Sequence, residues 1–133
     1  MKVDKKKIKS DLVYPELSYK IIGIMFEIYN ELGPGYQEKH YQRAISEAFK
    51  KHNIFFQEQA LIPLKFQDHK IGNYFLDFIV DNKIILEIKR GERFINTNIK
   101  QLNSYLKTTN LNLGILVNFT NNGLKFKRIV NIN

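Results

Sequence analysis

The chain has 133 residues, 44% hydrophobic and 13% aromatic, with 21 basic against 13 acidic residues and a net charge of +8. That length suits one domain, the apolar content excludes global disorder, and the absence of cysteine excludes disulfides, thiolate metal sites and a thiol nucleophile. The expected address is the cytoplasm, and the positive surplus calls for an anionic partner, although the lysine-rich usage (17 Lys, 14 Asn, 18 Ile) also follows A/T-rich coding.

Residues 1–15 form a basic lead-in with Lys2, Lys5, Lys6, Lys7 and Lys9, without the apolar run of a secretory signal. Residues 16–133 read as a single domain. Ile21, Ile24, Met25, Ile28 and Leu32, at spacings of three and four, predict an amphipathic helix over residues 18–33, ended by Gly33-Pro34-Gly35. Its apolar run of six residues, 21–26, is too short to span a bilayer. A second helix is expected over residues 36–52, with Tyr41, Ala44, Ile45, Ala48 and Phe49 as its apolar stripe. The period then shortens to that of strands, over residues 54–66, 71–80 and 83–89, with polar breaks at Gln67-Asp68-His69 and Asp81-Asn82. Ile99, Leu102, Tyr105 and Leu106 predict a helix over residues 96–108. Strands at 113–119 and 124–130 flank the turn Thr120-Asn121-Asn122-Gly123. The order α-α-β-β-β-α-β-β predicts an α/β (mixed α+β) fold in which helices pack on a mixed sheet.

The strand Ile84-Ile85-Leu86-Glu87-Ile88-Lys89 is the most informative segment. Alternation puts Ile85, Glu87 and Lys89 on one face and Ile84, Leu86 and Ile88 on the other. Acid-x-Lys occurs four times, from Asp4, Asp68, Asp81 and Glu87, and only the last lies inside an apolar strand. Alone, that pair also fits a surface ion pair worth about 0–1 kcal/mol. Asp77 adds a second carboxylate within the apolar run at residues 74–80, where ionisation needs compensation. A three-residue loop, Asp81-Asn82-Lys83, would pair Val80 with Ile84 and set Asp77 opposite Glu87 on the same face. A two-residue loop would turn it away, so a site here requires the longer loop or a bulge. Opposed carboxylates repel, and a hard divalent cation between them would convert repulsion into binding.

Gly35-Tyr36-Gln37-Glu38-Lys39-His40-Tyr41 resembles the signature of the GxxExxY proteins. The similarity continues through Asp77, Glu87-Ile88-Lys89, Gln101-x-x-x-Tyr105-Leu106 and Gly114-Ile115-Leu116-Val117-Asn118-Phe119, covering residues 21–130. These proteins are grouped with the PD-(D/E)xK nuclease-like superfamily, whose restriction-endonuclease-like core is α-β-β-β-α-β. One extra N-terminal helix and one extra C-terminal strand are expected here. The resemblance implies a metal-dependent phosphodiesterase using Mg2+ or Mn2+. It makes Asp77 and Glu87 metal-binding carboxylates, joined by Glu38 as a helix-borne acid. It makes Lys89 the residue that positions water or steadies the developing phosphorane charge, and Gln101 a polar partner on the next helix. Leu76 stands where the motif's name has proline.

Bland readings accompany these roles. Glu38 would gain about 0.3–1 kcal/mol from the helix dipole in any case, Tyr41 and Tyr105 read as core with hydroxyls at the edge, and Gly35 as a turn residue. Arg90, Arg93, Lys125, Lys127 and Arg128 are either phosphate contacts or solvated charges. The expected function is a magnesium-dependent nuclease acting on nucleic acid, DNA before RNA. The alternative is a nucleic-acid-binding module of the same fold with little or no turnover, and a third reading is an interaction protein whose basicity reflects coding alone. No membrane partner is expected, and a homodimer is the expected way for so small a domain to grip a duplex.

Overall fold

A computed structural model describes residues 13–131, so the lead-in lysines Lys2, Lys5, Lys6, Lys7 and Lys9 lie outside the described residues. The described elements are α1 (Pro15–Leu32), α2 (Glu38–Lys51), β1 (Phe56–Phe66), β2 (His69–Val80), β3 (Ile84–Ile88), α3 (Asn96–Thr109), β4 (Leu113–Thr120) and β5 (Gly123–Val130). Helix α1 starts three residues earlier than the apolar spacing predicts, because Pro15 takes the first helical position, where a missing N–H costs nothing. Among the described residues no helix is long and apolar enough to cross a membrane.

The five strands form one mixed sheet in the order β1-β2-β3-β4-β5. β1 with β2, β2 with β3, and β4 with β5 are antiparallel, whereas β3 and β4 are parallel and joined through α3. Gln67 and Asp68, both at positive φ, make a two-residue turn that pairs Phe66 with His69. The β2–β3 connection is the three-residue loop, with Val80 opposite Ile84.

Each face of the sheet has its own core. On one, Ile21, Ile24, Met25 and Ile28 of α1 and Tyr41, Ile45 and Phe49 of α2 pack on Phe78, Val80, Ile84, Leu86, Ile88, Ile115 and Val117. On the other, Leu102, Tyr105 and Leu106 of α3 pack on Ala60, Leu76, Ile79, Ile85, Leu116 and Ile129. Each fully buried aliphatic or aromatic side chain contributes roughly 1.5–3 kcal/mol. Every residue of β3 is buried because the strand lies between β2 and β4 with helices packed on both faces of the sheet. A charged residue on β3 is therefore forced into the interior.

Candidate active site

Strict alternation would put Leu76 and Phe78 on the same face of β2. Instead Leu76 joins the α3-side core with Ile79, while Phe78 and Val80 join the α1/α2 side. The strand changes face at Asp77, and the recorded β2–β3 pairing stops at Phe78–Leu86, one step short of Asp77 and Glu87. Side chains take over where the ladder ends. The Ile88 N–H donates to Asp77 Oδ2 at 2.8 Å, and the Asp77 N–H donates to Glu87 Oε1 at 3.4 Å. The two carboxylates thus meet at a fork in the sheet, Asp77 9% and Glu87 3% exposed. Burial, then the adjoining Asp77, pushes the Glu87 carboxyl from its ordinary 4.5 up to about 9.

Glu38 opens α2 and reaches the same cleft. Its placement follows from Tyr41, one turn later, whose hydroxyl donates to the Gly33 carbonyl at 2.6 Å and accepts from the Tyr36 N–H at 3.3 Å. The Tyr41 ring stacks on Phe119 of β4, centroids 4.1 Å apart. The glycine-to-tyrosine signature is therefore a latch: Gly35 takes φ 97°, and Tyr41 ties the α1–α2 loop down so that the helix begins at Glu38. Burial and the Asp77 charge raise the Glu38 pKa, against the lowering effect of Arg90 and Lys89. Arg90 Nε lies 3.6 Å from Glu38 Oε2.

Lys89 follows β3 and points its ammonium at Gln101 of α3, Nζ to Oε1 2.7 Å. The loop after it is clamped from beneath by Asn118 of β4, whose Nδ2 donates to the Gly91 carbonyl at 2.8 Å, and from the side by Lys125, whose Nζ donates to the Glu92 carbonyl at 2.7 Å. Burial, then the nearby Glu87, pushes the Tyr105 phenol up to about 12, so it stays a hydrogen-bond donor at any ordinary pH.

Asp77, Glu87, Glu38, Lys89 and Gln101, the five residues expected to carry chemistry, all line one cleft of about 610 Å³, together with Arg90, Arg93, Asn98, Tyr105, Phe75 and Ile95. A cleft of similar size, about 650 Å³, between β1 and the end of α3 is lined by Ile62, Pro63, Leu64, Thr108 and Leu111 with Lys65 as its one charged residue, and offers no comparable chemistry. Among the described residues no three His, Asp or Glu side chains close into a ligating cluster. The donor set is the Asp77–Glu87 pair, with Glu38 across the cleft beside Arg90. Two buried carboxylates that require a proton or a cation between them match magnesium, which takes one or two carboxylates and completes its shell with water.

Of the basic residues expected to touch phosphate, Arg90 and Arg93 line the cleft. Lys125 and Lys127 share the face of β5 that carries Ile129, on the α3 side. Arg128 does not belong with them. Alternation turns it under α1, where Nη2 donates to the Val13 carbonyl at 2.9 Å, and it lines a small hollow with Pro15, Ser18, Tyr19 and Ile22. Two contributors escaped the sequence reading. Phe75 reads as core but is 59% exposed at the cleft, because β2 changes face beside it. Asn118, 1% exposed in an apolar strand, carried the same polar-in-apolar signal as Asp77.

The model of the PD-(D/E)XK nuclease superfamily matches residues 15–129. The fold is similar to that of an alkaline exonuclease (LHK-Exo) from Laribacter hongkongensis, at 15% identity and a TM-score of 0.50 over 69% of this chain and 54% of that one. It is similar to SSO0001, at 18% identity and a TM-score of 0.54 over 94% and 61%. LHK-Exo in complex with dAMP matches at 12% identity and a TM-score of 0.53 over 85% and 68%. The chain spans 54% and 61% of the length of the first two, and at these identities the likeness is one of fold. No curated protein matches the chain.

Proposed function

The chain belongs to the PD-(D/E)XK nuclease superfamily, and from that premise we propose that it is a metal-dependent nuclease hydrolysing phosphodiester bonds in DNA. The observation that carries this reading is the buried Asp77–Glu87 pair at the β2–β3 fork, facing a cleft that also holds Lys89. Asp77 and Glu87 would hold Mg2+ or Mn2+, which when bound supplies charge neutralisation at the phosphate and acidifies the attacking water. Lys89, its ammonium oriented by Gln101, sets a cation where charge develops on the phosphoryl oxygens. Tyr105 keeps its proton and serves as a neutral donor. Arg90 and Arg93 draw the strand's phosphates into the cleft, and the exposed Phe75 ring offers a base a stacking face. A deoxynucleotide, dAMP, bound by the structurally similar LHK-Exo supports DNA over RNA.

The test is cleavage of single-stranded, duplex and branched DNA and of RNA, with Mg2+ or Mn2+ and with EDTA. Metal-dependent cutting of DNA that Lys89→Ala lowers by about 10²–10³-fold is the expected result; no cutting of any substrate by the parent protein would sink the proposal. The alternative of a binding module without turnover is favoured by one observation, that Glu38 sits beside Arg90 instead of completing a three-acid cluster. It requires salt-sensitive DNA binding with no metal-dependent cleavage.

A further inference from the structure

Eight non-glycine residues among those described have positive φ. Seven of them (Tyr14, Asn53, Gln67, Asp68, Asp81, Asn82 and Asn110) lie at helix ends or in turns, where such a conformation reverses the chain. Gln59, at φ 50°, stands alone inside a strand. The β1–β2 ladder does not demand it, since pairing keeps one register on either side, Glu58 with Phe78 and Ala60 with Leu76. Gln59 and Asp77 are skipped as a facing pair, whereas the ladder's register shift, which passes over Ile71, falls between Leu64 and Lys65. Glutamine lacks the short side chain that helps asparagine tolerate this region, so the conformation costs energy that something else must offset.

Its side chain shows where the compensation lies. Gln59 Nε2 donates to Gln42 Oε1 at 3.1 Å and reaches Asp77 Oδ1 at 3.5 Å. Gln42 in turn donates to Glu58 Oε2 at 2.9 Å. Gln42 lies one helical turn after Glu38, so this polar chain links the acid-bearing end of α2 to the second acid of the cleft. Asp77 Oδ2 is already held by the Ile88 N–H. The carboxylate is therefore gripped at both oxygens, each keeping a lone pair for another partner.

We propose that Gln59 is a positioning residue for Asp77: the left-handed kink in β1 aims its amide at Oδ1 and, braced by Gln42, fixes the plane in which that carboxylate meets a divalent cation. The inference rests on the metal-dependent reading above. It also explains why β1 and β2 change face at the same level, with Phe56 on the α1/α2 side and Ala60 and Ile62 on the α3 side.

Three variants separate orientation from backbone support: Gln59→Gly, which accepts positive φ without a Cβ penalty and removes the amide; Gln59→Met, which keeps the length and removes the donor; and Gln59→Asn, which keeps an amide in a residue tolerant of the kink. The measurements are the melting temperature of the metal-free protein, Mn2+ affinity by calorimetry, and steady-state cleavage of an oligodeoxynucleotide. Gln59→Gly is expected to melt at or above the parent temperature yet to bind Mn2+ about 10- to 100-fold more weakly, with kcat lowered and KM unchanged. Gln59→Met follows it in affinity, and Gln59→Asn recovers part of both losses. Parent-like Mn2+ affinity and kcat in the glycine and methionine variants would overturn the proposal, as would a rise in KM alone. A parent protein that binds Mn2+ but cuts nothing overturns the nuclease reading, and Gln59 is then decided on metal affinity; a parent that binds no Mn2+ overturns both.

Discussion

At the scale of single residues, the cleft is governed by a buried carboxyl that holds its proton well above the usual carboxylate range. Glu87 is raised from 4.5 to about 9 by burial and by Asp77. A group raised on folding gives stability that is complete below its unfolded pKa and lost as pH rises through the folded value. The melting temperature of the metal-free protein should therefore fall between about pH 5 and pH 9, and Glu87→Gln should flatten that slope; calorimetric scans in EDTA across the range provide the check. A cation held by Asp77 and Glu87 would displace the same proton, so on the proposed function Mn2+ affinity should rise over the same interval. On the proposed function, Lys89 acts on charge in the reaction and stands apart from the residues that would hold the cation. Lys89→Ala should lower kcat by about 10²–10³-fold while leaving Mn2+ affinity in place, measured by cleavage and calorimetry on one preparation. Asp77, Glu87 and Lys89 were legible because charges inside apolar strands are rare and costly. Phe75 was not, because an apolar residue in an apolar run carries no mark of a strand about to change face.

Elements bring these residues together through close packing and latches. Gly114 of β4 lies under Leu102 of α3, and a Cβ there would come within 2.7 Å of Leu102 Cδ2 and 2.8 Å of its Cγ. Leu102 is sealed in the core, so Gly114→Ala should push α3 outward and cost about 1–3 kcal/mol in urea unfolding. It should also weaken cleavage, since Gln101 and Tyr105 ride on the same helix. Tyr41→Phe should cost about 1 kcal/mol by freeing the Gly33 carbonyl, with a larger proportional loss of activity if Glu38 shifts with the loop. Apolar spacing located all eight elements to within a few residues, because core-facing positions on helices and strands repeat with fixed periods. Spacing is blind to a change of face within a strand: the three-residue loop is readable from Asp81-Asn82-Lys83, whereas the kink at Gln59 depends on strands and side chains distant in sequence.

For the whole molecule, part of the positive surplus stands at the cleft, where Lys89, Arg90 and Arg93 lie beside the buried acidic pair. With DNA binding measured in EDTA, the parent's log affinity should fall linearly with log salt, and the Arg90→Ala, Arg93→Ala double variant should lose about 0.9 of slope for each phosphate contact removed. Arg128→Ala should leave the slope alone and lower the melting temperature, because that guanidinium ties the start of α1 to β5. The element order, the mixed sheet and the placing of an acid pair with its lysine all follow from the linear sequence, since burial is written in local periodicity and its violations stand out. The fork that brings Asp77 to Glu87, the side of the sheet each arginine serves, the exposure of Phe75 and the hold of Gln59 on Asp77 arise only in the folded chain. They depend on register, strand facing and contacts between segments far apart in sequence, which no local pattern encodes.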